Sequence, residues 1–149
     1  MIKKMSHASI FVTNQEEALS FYRDKLGFKV HTDAMVGEDF RWLTVCASDQ
    51  PDFEIILMEP KAGMLMDEES ASQLRALIDK GILGAGAFHT DDCRATYEEL
   101  KGRGVEFVSE PTERFYGVEA VFKDNSGNWF SLTQPNAVNR NGKPENRKP

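Results

Sequence analysis

The pattern of apolar and polar positions in the first sixty residues predicts one strand, one helix and three further strands. Residues 6–12 follow the period of two that is typical of a β-strand. Asn14 is placed to cap a helix whose apolar side chains recur at helical spacing up to Gly27. Three more strands are predicted over residues 28–32, 41–47 and 53–59, the last two joined by the hairpin-like loop SDQPD.

The same order of elements returns in the second half of the chain. The segment HASIFVTNQEEALSFYRDKLGFKV, from His7, matches the pattern of AGAFHTDDCRATYEELKGRGVEFV, from Ala85. Further on, DFEIILMEP (52–60) matches NWFSLTQP (128–135). The second copy is predicted to contain strands at 85–90, 105–109, 117–123 and 129–134, with a helix over 93–102 capped by Asp92. An internal repeat of this kind predicts two copies of one βαβββ module.

We therefore expect one α+β domain over residues 1–135, made of modules 5–60 and 83–135. Between the modules, SASQ (70–73) has the form of a capping box and predicts a linker helix over about 70–80. Residues 136–149, NAVNRNGKPENRKP, contain very few apolar side chains, so we expect them to form a flexible basic tail.

Composition narrows the class of protein. A chain of 149 residues with 40% hydrophobic content is of a size for one packed domain. It contains no run of roughly 18 apolar residues and no signal peptide, so we expect a cytoplasmic protein with no membrane partner. The formal charge of −6 argues against nucleic acid as a partner. Cys46 and Cys93 lack metal-binding spacing and are expected to be reduced packing thiols.

Three stretches, FYRDKLGF, FHTDDCRATYEELKGRGVEF and FKDNSGNWFSL, resemble the vicinal-oxygen-chelate superfamily of glyoxalases, bleomycin resistance proteins and extradiol dioxygenases. The resemblance covers residues 5–135. It implies that the two modules form a curved mixed-sheet cup with helices on the convex side and a ligand or metal inside. It leaves the chemistry open, because the superfamily includes isomerases, dioxygenases, epoxide-opening transferases and non-catalytic drug binders.

The resemblance places the superfamily's metal ligands at His7, Ile56, Ala85 and Ser131. Of these only His7 is a good ligand, whereas a catalytic metal site needs about three nitrogen or oxygen ligands from the protein. We therefore expect no metal cofactor. The alternative is a relocated site for a divalent ion such as Ni, Zn, Fe or Mn. Its ligands would be His7, His89 and either Glu119 or Glu54, which share faces with the expected positions.

Strand alternation also predicts which side chains line the interior of the cup. Two tryptophans, a phenylalanine and a tyrosine there would grip a flat, partly apolar ligand by stacking, with Tyr116 and the histidines orienting it. For any single aromatic residue, core packing is the commoner role. The predicted pocket residues are His7, Phe11, Trp42, Met58, His89, Tyr116, Glu119, Trp129 and Ser131.

The leading hypothesis is a glyoxalase/bleomycin-resistance-like small-molecule-binding protein that lacks the usual four-ligand metal site. The acidic charge agrees with the cationic ligands of the bleomycin-resistance type. The alternative is a metal-dependent enzyme using His7 and a relocated ligand set, either a glyoxalase-like lyase or isomerase or an extradiol dioxygenase-like oxidoreductase. No catalytic residue is assigned. A homodimer is expected, because two-fold symmetric dimers are the commonest oligomers.

Overall fold

A computed structural model describes residues 1–63 and 65–138 of the chain. The chain divides into two compact units, one of Met1–Leu83 with Asp124–Asn128 and the other of Gly84–Lys123 with the segment from Trp129 onward. Each unit carries one four-stranded sheet. In the predicted tail, residues 139–149 lie outside the described residues, and Asn136 donates hydrogen bonds to the carbonyls of Phe115 and Tyr116.

The first unit follows the predicted βαβββ order. Its strand order is β1-β4-β3-β2, with β1 parallel to β4 and the other pairs antiparallel. A π-helical turn, Phe21–Lys25, continues α1, and α2 follows the sheet. The elements are β1 (His7–Phe11), α1 (Gln15–Ser20), β2 (Lys29–Val36), β3 (Phe40–Cys46), β4 (Glu54–Met58) and α2 (Glu68–Asp79).

The second unit repeats this arrangement. Its strand order is β5-β8-β7-β6, with β5 parallel to β8 and the remaining pairs antiparallel. The prediction of an α+β fold made of two tandem βαβββ modules is therefore confirmed. The elements are β5 (Gly84–His89), α3 (Cys93–Gly102), β6 (Glu106–Arg114), β7 (Gly117–Lys123) and β8 (Trp129–Pro135).

Helix starts are predicted well where the capping contact is local. The side chains of Asn14 and Asp92 accept hydrogen bonds from backbone N–H groups three residues later, as expected. The capping box proposed at Ser70 is wrong. The α2 helix begins one turn earlier, at Glu68, because Asp67 caps it by accepting the Ser70 N–H at 2.7 Å.

Two strands are longer than predicted. The β2 strand continues to Val36 and β6 to Arg114, each paired with the next strand in an antiparallel hairpin. Register irregularities, between Val30 and Thr32 in β2 and at two places in β6, interrupt their alternation of apolar and polar residues. Because a register shift interrupts the alternation of apolar and polar residues, the pattern of period two ended before each strand did. The two predicted strands were therefore too short.

The apolar core of the first unit lies on the α1 side of its sheet. Leu43 and Val45 of β3 are fully buried, and so are Leu57 of β4, Ala18 of α1 and Tyr22 of the π-helical turn. Because side chains alternate along a strand, the residues between these core positions point to the opposite face of the sheet. That face carries the candidate site.

The turn Asp124–Asn128 is held inside the first unit by polar contacts. The buried Asp124 carboxylate accepts hydrogen bonds from the Tyr22 hydroxyl at 2.8 Å and from the backbone N–H groups of Ser126 and Asn128. The Asn128 amide donates to Asp124 and to the Phe11 carbonyl. Burial first, and then the neighbouring Asp124 charge, raises the pKa of Tyr22 well above its ordinary value. The hydrogen bond between Tyr22 and Asp124 therefore joins the stretch FYRDKLGF to the turn DNSGN (124–128), which explains why both occur in this chain.

The core of the second unit is aromatic. The rings of Phe88, Phe122 and Phe130 stack on one another, and Tyr97 of α3 contacts Phe107 of β6 edge to face. Cys46 and Cys93 are buried free thiols. Within residues 1–63 and 65–138, no helix has both the length and the apolar character needed to cross a membrane.

Candidate functional site

Glu54 is the centre of a polar cluster on the face of the first sheet that is turned away from α1. His7 and Glu54 are direct neighbours in the parallel β1–β4 ladder, which places both side chains on one face. The carboxylate lies 3.2 Å from His7 Nε2 and 3.1 Å from His31 Nδ1. It also accepts a 2.6 Å hydrogen bond from the buried Thr44 hydroxyl. One carboxylate is thus held by two imidazoles and one hydroxyl.

The two imidazoles remain open to solvent, whereas the carboxylate between them is largely covered. The side chains of His7 and His31 are 38% and 47% exposed, but that of Glu54 is only 13% exposed. Each ring nitrogen that faces Glu54 must carry a proton in order to donate to it. The other nitrogen of His7 contacts the Ser6 hydroxyl at 2.9 Å, and His31 Nδ1 also lies 3.1 Å from the Thr32 hydroxyl. The cluster therefore offers polar ring edges above a negative charge.

Trp42 adjoins this cluster and begins the apolar part of the same face. Its ring centroid lies 6.0 Å from that of His7 and 6.3 Å from that of Phe40. Phe11 and Met58, which are direct partners in the β1–β4 ladder, lie at the far end of the face. The distance from Glu54 to Met58 along β4 is four residues, or about 13 Å. The face therefore changes from polar to apolar along the strands.

The corresponding face of the second sheet carries a different polar network. Ser131 donates a 2.6 Å hydrogen bond to the Glu119 carboxylate and contacts the Thr133 hydroxyl at 2.9 Å. A hydrogen bond to Glu119 raises the pKa of Tyr116 above its ordinary value, with smaller contributions from burial and from the Glu119 charge. Arg114 lies 3.9 Å from the same carboxylate. Here hydroxyl groups take the place that imidazoles have in the first sheet.

Trp129 lies on this same face of the second sheet. Its neighbour Phe130 belongs to the aromatic core, so the indole points the other way. The indole covers Gly84, since a Cβ atom at that position would lie 2.5 Å from the Trp129 ring. His89 pairs with Thr133 in the ladder and is exposed. Strand parity thus places Trp42 on the face of the first sheet that is turned away from α1, and Trp129 on the face of the second sheet opposite its aromatic core.

The nine predicted pocket residues fall into two sets, one on each sheet. His7, Phe11, Trp42 and Met58 belong to the first unit, and the other five belong to the second. The sequence analysis missed His31, which completes the Glu54 cluster together with Thr44. His31 sits at the irregularity of β2, where alternation gives no information about the face. Its spacing of 23 residues from Glu54 carries no recognisable motif.

The side chains at the superfamily's metal positions do not fit a metal centre. Ile56 is buried and apolar, Ala85 has no donor atom, and the Ser131 hydroxyl already donates to Glu119. Among the described residues, no group of three or more His, Cys, Asp or Glu side chains is arranged to hold a metal ion, and in the Glu54 cluster the two imidazoles contact the carboxylate itself. His7 belongs to the first unit while His89 and Glu119 belong to the second, and this relocated set stays a prediction.

The first unit also contains a cleft of about 580 Å³ that the sequence analysis did not predict. Three segments far apart in sequence form it: the start of α1, the tip of the β2–β3 hairpin and the segment after β4. Of the predicted pocket residues it includes only Met58. Its apolar lining comprises Met35, Val36, Phe40, Met58, Ala62, Leu65 and Met66, and its charged lining comprises Glu16, Asp39, Arg41, Glu59 and Lys61.

Comparison with known proteins gives a consistent family. The family model described as Glyoxalase/Bleomycin resistance protein/Dioxygenase superfamily matches residues 4–132. The uncharacterized protein YurT of Bacillus subtilis (strain 168) is 36% identical over 131 residues, which are 88% of this chain and 98% of YurT.

Two solved structures extend this similarity. UcmS2 is 46% identical and superimposes with a TM-score of 0.84, over 90% of this chain and 99% of that chain. TnmS3, described as an antibiotic binding protein from Streptomyces sp. CB03234, is 29% identical with a TM-score of 0.70, over 90% of this chain and 97% of that chain.

Proposed function

The chain belongs to the glyoxalase/bleomycin resistance protein/dioxygenase superfamily, and we propose that within it this protein binds a small molecule without transforming it. The ligand class is a flat, partly aromatic molecule that carries hydrogen-bond donors or a positive charge. The observation that carries the proposal is the Trp42 indole beside the Glu54 carboxylate and its two imidazoles.

The chemistry of this face matches such a ligand. An indole offers a large apolar surface on which an aromatic ring stacks, a contact worth about 0.5–1.5 kcal/mol beyond the area that it buries. The partly exposed imidazoles of His7 and His31 supply hydrogen-bonding groups at one end, and the negative charge of Glu54 lies beneath them. The formal charge of −6 also attracts cations to the protein.

The relatives support binding as a use of this fold. TnmS3 is described as antibiotic binding and aligns with nearly the whole chain. A shared fold alone does not fix a function. The proposal therefore rests on the face of the first sheet, and this neighbour adds only the expectation that the ligand is an organic molecule of drug size.

We further propose that binding needs no resident metal. Support comes from Ile56, Ala85 and Ser131, whose side chains supply no ligand set beside His7. The competing function is a metal-dependent lyase, isomerase or dioxygenase. Elemental analysis after dialysis, followed by titration with Ni²⁺, Zn²⁺, Fe²⁺ and Mn²⁺, separates the two. About one ion per chain, lost in both His7→Ala and His89→Ala, would favour the metal-dependent enzyme.

Proflavine, a flat tricyclic cation with two amino groups, tests the binding proposal. We expect saturable binding by tryptophan fluorescence and calorimetry, with the dye recovered unchanged by mass spectrometry. Trp42→Ala is expected to weaken binding by about 1–3 kcal/mol. The control is Leu77→Ala, which removes an exposed side chain on α2 and should leave the affinity unchanged. Equal affinity of Trp42→Ala and the unaltered protein would refute the proposal.

We also propose a cytoplasmic homodimer. Strands β2 and β6 form outer edges of their sheets, and β2 carries the exposed aliphatic side chain of Val30. Exposed edges of this kind favour pairing with another chain. Light scattering at micromolar concentration should give twice the mass of one chain, and a single-chain mass would contradict the proposal.

A further inference from the structure

The methionine-lined cleft of the first unit continues the proposed binding face. Phe40 and Met58 belong to both, since they line the cleft and lie on the same side of the sheet as Trp42. The Phe40 ring is the next aromatic group after Trp42 along β3. A ligand that stacks on Trp42 therefore has one end at the Glu54 cluster and the other at the mouth of the cleft.

The charged groups of the cleft are largely occupied by one another. Arg41 forms a two-pronged ion pair with Asp33, 2.7 Å at each contact, and also pairs with Glu16. Lys61 lies 2.9 Å from Glu59, whose other oxygen accepts the Gln15 N–H at 2.9 Å. Since these charges already have partners, they offer little to an ionic ligand.

The remaining walls of the cleft are apolar and open to solvent. The side chains of Met35, Val36 and Leu65 are exposed to 59%, 52% and 58%, and exposed apolar groups gain free energy when a ligand covers them. Methionine side chains are flexible and polarizable, so they adapt to apolar groups of varied shape. At about 580 Å³ the cleft is in the size range of small-molecule sites.

From this continuity we infer that the ligand is elongated, with a flat ring system over Trp42 and an uncharged, flexible apolar arm that enters the cleft. This inference rests on the proposed function and specifies its ligand class. The arm would bury the exposed Met35 and Val36 side chains, so its length would raise the affinity while the ring sets the orientation.

Two dyes test the arm separately from the ring. The dyes 10-methyl and 10-nonyl acridine orange share one cationic tricyclic ring and differ only in their alkyl arm. We expect the nonyl dye, used below its micellar concentration, to bind the protein at least about tenfold more tightly than the methyl dye, because burial of each added methylene is favourable.

The matched variants assign that preference to the cleft. In the double variant Met35→Ser and Val36→Ser, both changes are at exposed positions, so folding should survive, and the nonyl preference should fall to about twofold with the methyl affinity unchanged. Val108→Ser, at an equally exposed position on β6, should keep the full preference. Equal affinities for the two dyes, or a preference that the double variant retains, would overturn the inference alone. Failure of both dyes to bind would overturn the proposed function together with it.

Discussion

The two sheets share one strand order, yet each holds its partly buried glutamate with different chemistry. Glu54 of the first sheet lies between two imidazoles and a buried threonine hydroxyl, whereas Glu119 of the second is bound by the Ser131 and Tyr116 hydroxyls. The backbone thus decides which positions share a face, and the side chains decide what that face can bind. Imidazole edges beside an indole suit an aromatic ligand in a way that serine and threonine hydroxyls do not.

The two modules also differ in the side chain that accepts a hydrogen bond from the first residue of each module's helix. Glu59 follows β4 and accepts the backbone N–H of Gln15, the first residue of α1. Gln134, its counterpart in the repeat, accepts the backbone N–H of Cys93, the first residue of α3. The contact is the same, but it uses a charged acceptor in one module and a neutral one in the other.

The largest expected effect concerns the glycines of the two long hairpins. A Cβ atom at Gly117 would lie 2.1 Å from the Gln134 carbonyl oxygen, and the φ angle there is +149°. At Gly37 the φ angle is +71°, but nothing lies within 4 Å of the added atom. We expect Gly117→Ala to lower the free energy of unfolding by about 3–5 kcal/mol and Gly37→Ala by about 1 kcal/mol, measured by urea denaturation. Similar losses for the two variants would contradict the packing difference between the hairpins.

The two short hairpin turns also differ in how far their aspartate side chains are buried. Asp124→Ala removes the acceptor of four hydrogen bonds in a buried turn, so we expect a loss of about 2–3 kcal/mol. Its matched control is Asp52→Ala in the turn before β4, where the carboxylate pairs with Lys4 and both side chains are more than half exposed. That change should cost less than about 0.5 kcal/mol. Thermal unfolding followed by circular dichroism would separate the two, and equal midpoints would show that the Asp124 contacts contribute little.

These residues show how far the sequence predicts the structure. The Asn14 and Asp92 caps were predictable because each contact spans three residues, and the repeat predicted both modules. The Asp124–Tyr22 hydrogen bond joins residues 102 positions apart, so each motif was recognised without the contact that links them. His31 and the cleft were missed for a similar reason, since a strand irregularity and three distant segments place them. Contacts between distant residues leave no period in the sequence.

Replacing either of the two partly buried glutamates is expected to have an intermediate effect on stability. Glu54→Ala leaves the buried Thr44 hydroxyl and two imidazoles without their acceptor, so we expect a loss of about 2 kcal/mol. Glu119→Ala should cost about 1 kcal/mol, because Ser131 keeps its contact with Thr133. Chemical denaturation at neutral pH compares the two variants. A larger loss for Glu119→Ala would reverse our ranking of the two networks.

The smallest expected change in the free energy of unfolding comes from removing the charge of Glu59. Burial favours the neutral carboxyl, but the hydrogen bonds from Lys61 and from the Gln15 N–H outweigh it, so the pKa of Glu59 lies below its ordinary value. Because the folded-state pKa is lowered, the charge stabilises the fold at pH values above the unfolded-state pKa of about 4.3. This contribution is lost as the pH falls through the folded value.

Glu59→Gln gives the first module the neutral acceptor of the second and so tests this charge directly. We expect the variant to be less stable than the unaltered protein by about 0.5–1 kcal/mol at pH 7, with the difference shrinking as the pH is lowered toward 3, because protonation removes the charge that distinguishes glutamate from glutamine. Gln134→Ala is the control, since it removes a neutral acceptor and its cost should be the same at both pH values. Urea denaturation at the two pH values measures all three proteins. A Glu59→Gln difference that persists at pH 3 would mean that shape, and not charge, distinguishes the two helix starts.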